Sequence, residues 1–183
     1  SSENGKGVLM LRVDADTVSV IAARDQKLSG ISHRLQVDDE VLETARGLSS
    51  QLIDSNSFAT YIYNRALFPD YTPATLEDLS IEQAWARVRI REALSALQKL
   101  DPDFGYNPSL GLMRAYEPII LSGSELQRAL PHQGLMIALD SILPHGITTI
   151  LQDEQQLLTA LGSLAPMEPL LPVQVMDEEV FTN

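Results

Sequence analysis

Val8-Leu9-Met10-Leu11-Arg12-Val13, then Asp14-Ala15-Asp16-Thr17, then Val18-Ser19-Val20-Ile21-Ala22-Ala23: these consecutive stretches decide the fold. The first is a short, nearly continuous apolar run, which reads as a buried strand. The Asp-rich tetrapeptide breaks it, and the third stretch reads as a second strand. Two strands joined by a short turn predict a hairpin. Asp25-Gln26-Lys27 offers a further turn, and 30–37 reads as a third, more exposed strand. The opening of the chain is therefore expected to be an antiparallel meander.

Helical spacing takes over next. Asp38-Asp39-Glu40 puts negative charge at a helix start, and Val41, Ala45, Leu48 and Leu52 follow at helical intervals. A second helix is expected over 57–67, with Phe58, Tyr61, Ile62 and Ala66 inward and Pro69 beyond its end. The strongest local pattern runs from about 75 to 100. Leu79, Ala86, Ile90, Ala93 and Leu97 form one stripe, and Ile81, Ala84, Trp85 and Val88 form another. A helix apolar on two sides is expected to be sandwiched between other elements. Asp101-Pro102 ends it.

The last third alternates. Pro118-Ile119-Ile120-Leu121 reads as a buried strand and Ser122-Gly123 as a turn. Ser124-Glu125-Leu126-Gln127 matches a capping box. A helix over 133–143, a strand over 147–152, a helix over 153–164 and a strand over 170–176 follow. Strands separated by helices imply parallel pairing with crossovers. The expected architecture is α/β: a mixed five-stranded sheet with an N-terminal antiparallel meander and helices on both faces. It occupies 8–176, after a flexible lead-in over 1–7 and before an acidic tail over 177–183.

Composition narrows the function classes. The chain has 183 residues, enough for one domain with a sizeable core. Its formal net charge of -12 repels nucleic-acid phosphates and anionic membranes, so neither is an expected partner. Basic protein partners are favoured. From Ala115 onward there are nine acids and a single basic residue, Arg128. The absence of cysteine excludes disulfides, thiol nucleophiles and thiolate metal sites, and fits the cytoplasm. No apolar run is long enough to span a bilayer.

Two elements matter together: the hairpin with its Asp-Thr turn, and the later Leu121-Ser122-Gly123-Ser124, a strand end entering a helix. This layout resembles the second half of the actin-like ATPase superfamily, with its ribonuclease-H-like fold. Within it, the chain is similar to the glutamate mutase L-type group, the accessory proteins of methylaspartate mutase and their relatives. Ile147-Thr148-Thr149-Ile150-Leu151 adds to the likeness, as do Leu157-Leu158 through Gly162 and Pro169-Leu170-Leu171-Pro172-Val173-Gln174-Val175. So do Tyr63-Asn64-Arg65-Ala66-Leu67 and Ile81-Glu82-Gln83-Ala84. The likeness covers most of the chain, on short motifs.

The resemblance implies that the hairpin turn cradles nucleotide phosphates and that the strand–glycine–helix element contacts adenosine. Asp14, Asp16 and Thr17 match the first, and Ser122, Gly123 and Ser124 match the second. ATP and Mg2+ are the implied ligands, with Asp14 and Asp16 as metal ligands. The turn departs from the family pattern: it has no glycine, and Asp16 presents a carboxylate where phosphates would lie. The superfamily also closes its cleft between two similar halves, and this chain is long enough for one.

Other readings stand beside these. Asp14 and Asp16 are also what a strand-end turn uses for backbone hydrogen bonds. Ser124 is explained as a helix cap rather than a nucleophile, because a Gly-x-Ser-x-Gly elbow is missing. Arg87 and Arg91, four apart on one helix face, offer a grip for an acidic partner or are a solvated face. His33, His132 and His145 lack metal-ligand spacing.

Two functions are therefore expected in competition. One is a degenerate actin-like domain serving as a protein-interaction or scaffold module, without catalysis of its own. The other is the nucleotide-binding half of an ATPase, completed by a missing N-terminal half. A protein partner, the remainder of a longer chain, or a second copy in a homo-oligomer are the partners in view.

Overall fold

In the computed structural model, which describes residues 6–69, 71–128, 131–158 and 161, the alternation within the first strand fixes the covered face. β1 (Gly7–Val13) buries Leu9, Leu11 and Val13 completely while Val8, Met10 and Arg12 point to the other side. It pairs antiparallel with β2 (Val18–Arg24), and β2 pairs antiparallel with β3 (Lys27–His33). The meander is as expected, with one shift. Asp25 and Gln26 both take positive φ, at 49° and 64°, and make a two-residue hairpin turn. The third strand therefore begins at Lys27 and ends at His33, rather than covering 30–37.

α1 (Asp39–Gly47) starts at Asp38, whose carboxylate accepts from the Val41 amide. α2 (Ser55–Leu67) is capped in the same way by Asp54. α3 (Leu76–Leu100) opens on a reciprocal capping box between Thr75 and Asp78. A short 3-10 turn (Pro102–Phe104) leads to a small hairpin, β4 (Tyr106–Asn107) and β5 (Gly111–Leu112). β6 (Tyr116–Ser122) then returns parallel to β1. α4 (Ser124–Arg128) and α5 (Pro131–Ile142) cross over to β7 (Ile150–Gln152), which is parallel to β6. The five strands lie in the order β3-β2-β1-β6-β7.

The two stripes of α3 face two different clusters. Ala86, Ile90, Ala93, Leu94 and Leu97 join the sheet residues Leu9, Leu11, Val20 and Leu121, with Leu126 of α4 and Ile137 and Ala138 of α5. Ile81, Ala84 and Val88 join Leu42, Ala45, Phe58 and Ile62 of α1 and α2. The sandwiched helix is thus as the periodicity predicts. Burying a Leu or Ile here contributes about 1.5–3 kcal/mol each, so α3 is the spine of the molecule.

Helices on both faces of the sheet are not what forms among the named helices. α3, α4 and α5 cover one face, and α1 and α2 stack outside α3. The other face is buried at Ile120 and Ser122, and it opens towards the edge, where Ile21 of β2 and Leu28, Gly30 and Ser32 of β3 are exposed. Leu157, Leu158 and Leu161 are helical, as expected. The expected strand over 170–176, the acidic tail and most of the lead-in lie outside the described residues.

Candidate functional site

β1 and β6 run parallel with Arg12 opposite Ser122, so the segments that leave them, Asp14–Thr17 and Gly123–Ser124, emerge side by side. Gly123 is what lets them touch. Its φ is 103°, and a Cβ there would sit 2.3 Å from the Val13 carbonyl oxygen and 2.6 Å from its nitrogen. Only glycine takes that conformation at that approach. The Ser124 amide then reaches the Asp14 carboxylate at 3.2 Å, with the Ser124 hydroxyl at 3.4 Å. Arg12 donates to the same carboxylate, its Nε at 2.5 Å from Oδ2. The turn closes through the Asp14 amide on the Thr17 carbonyl at 2.9 Å. Arg89, 3% exposed on α3, donates to the Asp14 carbonyl.

A strand-end amide beside a helix start is a place for an anion. Here the anion belongs to the chain. Asp14 supplies the negative charge that a phosphate would bring, and Arg12 balances it. The residues at the expected phosphate position are in this sense already satisfied.

The expected ligands fare as follows. Asp16 is exposed and ion-paired with Arg34, and that hydrogen bond holds its carboxyl below the usual carboxylate range. Asp14 and Asp16 lie in a turn rather than an extended strand, and each is matched to its own arginine. They do not form the joint Mg2+ site that the sequence reading expects. Among the described residues no three His, Asp or Glu side chains converge as a metal-binding group. Thr17 contributes its carbonyl to the turn. Ser122 is 2% exposed, and its hydroxyl donates to Asp153 at 3.0 Å. Asp153 in turn accepts from the Leu157 and Leu158 amides, so Ser122 ties β6 to the next helical turn rather than to a phosphate.

The capping box at Ser124–Gln127 does not form. Ser124 is the first helical residue, its hydroxyl goes to Asp14, and Gln127 donates to the carbonyls of Asp153 and Glu154. A cavity of about 250 Å³ beside Ser122 is lined by Asp153, Glu154, Gln127, Gln152, Leu121 and Leu126. That lining has acids and no cation, which disfavours a triphosphate. At these positions the lining offers a triphosphate no cation, and Asp14 and Asp16 each face an arginine.

Arg87 and Arg91 are not a free gripping surface. Arg87 donates to the Asp140 carboxylate at 2.9 and 3.1 Å, and Arg91 to the Asp140 carbonyl at 2.9 Å. Both arginines fasten α3 to α5. His33, His132 and His145 stay on separate elements, and His145 bonds the Leu110 carbonyl.

Next to Ser124 lies a second cluster that the sequence reading does not assemble. Arg65 of α2, 7% exposed, donates to Glu82 of α3 at 2.7 Å, to Glu125 of α4 and to the Pro69 carbonyl. The Tyr61 hydroxyl donates to Glu82 at 3.0 Å. Burial pushes the Glu82 carboxyl above its usual range, the Glu125 charge adds to this, and Arg65 opposes it. Burial likewise raises the Tyr61 phenol. A cavity of about 220 Å³ adjoins the cluster, walled by Glu82, Glu125 and Arg128 over Leu79, Ala86 and Ile137.

The signal for this cluster was present. Arg65 falls on the stripe of Phe58 and Ile62, and Glu82 on the stripe of Leu79 and Ala86. A charge on an inward stripe needs a buried partner of opposite sign. Arg65, Glu82 and Glu125 converge from three helices.

Comparison with known protein families and with curated proteins finds no match to this chain.

Proposed function

We propose that this chain is one half of an actin-like, ribonuclease-H-like architecture whose nucleotide position is filled from within, and that it serves as a protein-interaction or scaffold module. An antiparallel meander extended by two parallel strands, with the two candidate elements at adjacent strand ends, supports the architectural part. One observation carries the functional part: the Asp14 carboxylate occupies the Ser124 amide and is itself matched by Arg12. A nucleotide phosphate arriving there meets a carboxylate instead of open donors. The obstacle is therefore Asp14 rather than Asp16, whose side chain turns to Arg34.

The chain's acidity favours a basic partner, reached through surfaces away from this cluster. The test is calorimetry of Mg-ATP and Mg-ADP, with this chain and with the longest natural chain containing it. The proposal expects no saturable heat in either. Binding in the longer chain alone would replace the scaffold reading with the split-cleft ATPase.

A further inference from the structure

Among the described residues, β3 is an outer strand of the sheet with no neighbour beyond it. The Asp25-Gln26 turn has two residues, which makes Arg24 and Lys27 a hydrogen-bonded pair. Bonding alternates from there, so Lys27, Ser29, Ile31 and His33 turn their amides towards β2. Leu28, Gly30 and Ser32 turn theirs outward. Among the described residues nothing else bonds those outward amides and carbonyls.

Natural sheets guard such edges with proline, a bulge or outward charges. β3 has neither proline nor bulge: its pairing with β2 is in continuous register over all seven residues. Its one terminal charge, Lys27, is held by Asp101 at 2.5 Å. The middle of the edge is Gly30, with no side chain to keep another strand away, and beside it Leu28 is 74% exposed.

We propose that β3 pairs antiparallel with β3 of a second copy of this chain, about a two-fold axis at Gly30. This register sets Gly30 against Gly30 and Leu28 against Ser32, and it is the one in which every outward amide finds a carbonyl. Leu28 of one copy then lies diagonally beside Gly30 of the other, within reach of a long side chain, and fills the space that the glycine leaves. The fit is reciprocal, as a two-fold contact requires. At the ends, Arg34 of one copy comes near the turn of the other at Asp25; within each chain Arg34 is paired with Asp16 and Asp25 with Arg24, so the fit at Leu28 and Gly30 carries the contact. Each copy carries a net charge of -12, so their repulsion opposes the contact and salt relieves it.

The proposal gives the interaction-module reading a partner, while its experiment reads self-association and is separate from nucleotide titration. Sedimentation of the chain is measured across concentrations up to about 1 mM, at low and high salt, beside Leu28→Lys. A monomer–dimer equilibrium strengthened by salt is expected. Leu28→Lys weakens it at least about tenfold while circular dichroism and melting stay unchanged. Should Leu28→Lys disturb the fold, Ser32→Lys places the charge on the same edge.

The second arm uses the absence of cysteine. Ser32→Cys, exposed on the same edge and leaving Gly30 intact, is treated with a bis-maleimide long enough to span the two-fold axis. It should link into dimers where Leu52→Cys, fully exposed before α2, does not. A chain that stays monomeric, which would leave the edge to an extended peptide of another protein, overturns the proposal. So does a dimer indifferent to the edge lysine, or a Ser32→Cys that links no better than Leu52→Cys.

Discussion

The turn cluster at Asp14 and the helix cluster at Arg65 adjoin one another through Ser124 and Glu125, yet they are built differently. In the first, the side chains of Arg12 and Asp14 are about a quarter exposed, the carboxylate is shared between a guanidinium and an amide, and the backbone does much of the holding. In the second, Arg65 meets both Glu82 and Glu125, all at least 85% buried, and Arg128 stands 3.8 Å from Glu125. Water competes more strongly in the first than in the second. The turn cluster therefore governs what the strand ends can accept, and the helix cluster governs whether α2, α3 and α4 stay together.

The sharpest way to break this contrast is Arg65→Met. Glu82 would be left buried without its salt-bridge partner while Glu125 keeps Arg128 at 3.8 Å, at a cost of about 3–5 kcal/mol in urea unfolding. Arg65→Lys should recover only part, because a lysine lacks the fork that meets Glu82, Glu125 and a carbonyl together. A loss near zero would mean the cluster is no more than a surface ion pair.

Next comes Gly123→Ala. The positive φ alone costs about 1–3 kcal/mol, and the Val13 backbone must also yield. The Ser124–Asp14 contact should be lost with it, visible as faster exchange of the Ser124 amide. Asp14→Ala removes the partner of that amide directly and should cost about 1–2 kcal/mol, since part of the site is open to water.

The pH dependence separates the clusters by sign. Glu82 has its carboxyl raised in the folded chain, so the native state holds more protons than the unfolded one above the ordinary carboxylate range. Its contribution to stability is present at low pH and is lost as pH rises through the folded value. Glu82→Gln should flatten that decline above the ordinary carboxylate range, followed by urea midpoints. Asp16 runs the other way, its stabilisation fading only as pH falls through its lowered value. Being exposed, it matters least: Asp16→Ala should stay within about 0.5 kcal/mol of the parent.

The two clusters also differ in how far the sequence gives them away. The turn is contiguous, so Asp14–Thr17 stands out between two apolar runs, and the later glycine marks its neighbour. What the residues alone do not reveal is where each carboxylate turns, because Arg12, Arg34 and Ser124 come from other positions. That is why Asp16 stands out in the sequence although it is the Asp14 carboxylate that meets the Ser124 amide. The helix cluster is spread over Tyr61, Arg65, Glu82 and Glu125, and pairing them requires the packing of three helices. Arg87 and Arg91 mislead for the same reason, since their partner Asp140 is 53 and 49 residues away. The strands and α3 were legible because period and turn chemistry are local. The stacking of all the named helices on one side depends on long-range contacts that no periodicity encodes.

The account rests on the Ser124 amide being taken by Asp14. The most direct measurement follows the Gly123 and Ser124 amide resonances while Mg-ATP is added to the intact chain. Both should remain where they are to millimolar nucleotide. A saturable shift of either would contradict the filled site and return the strand ends to a nucleotide.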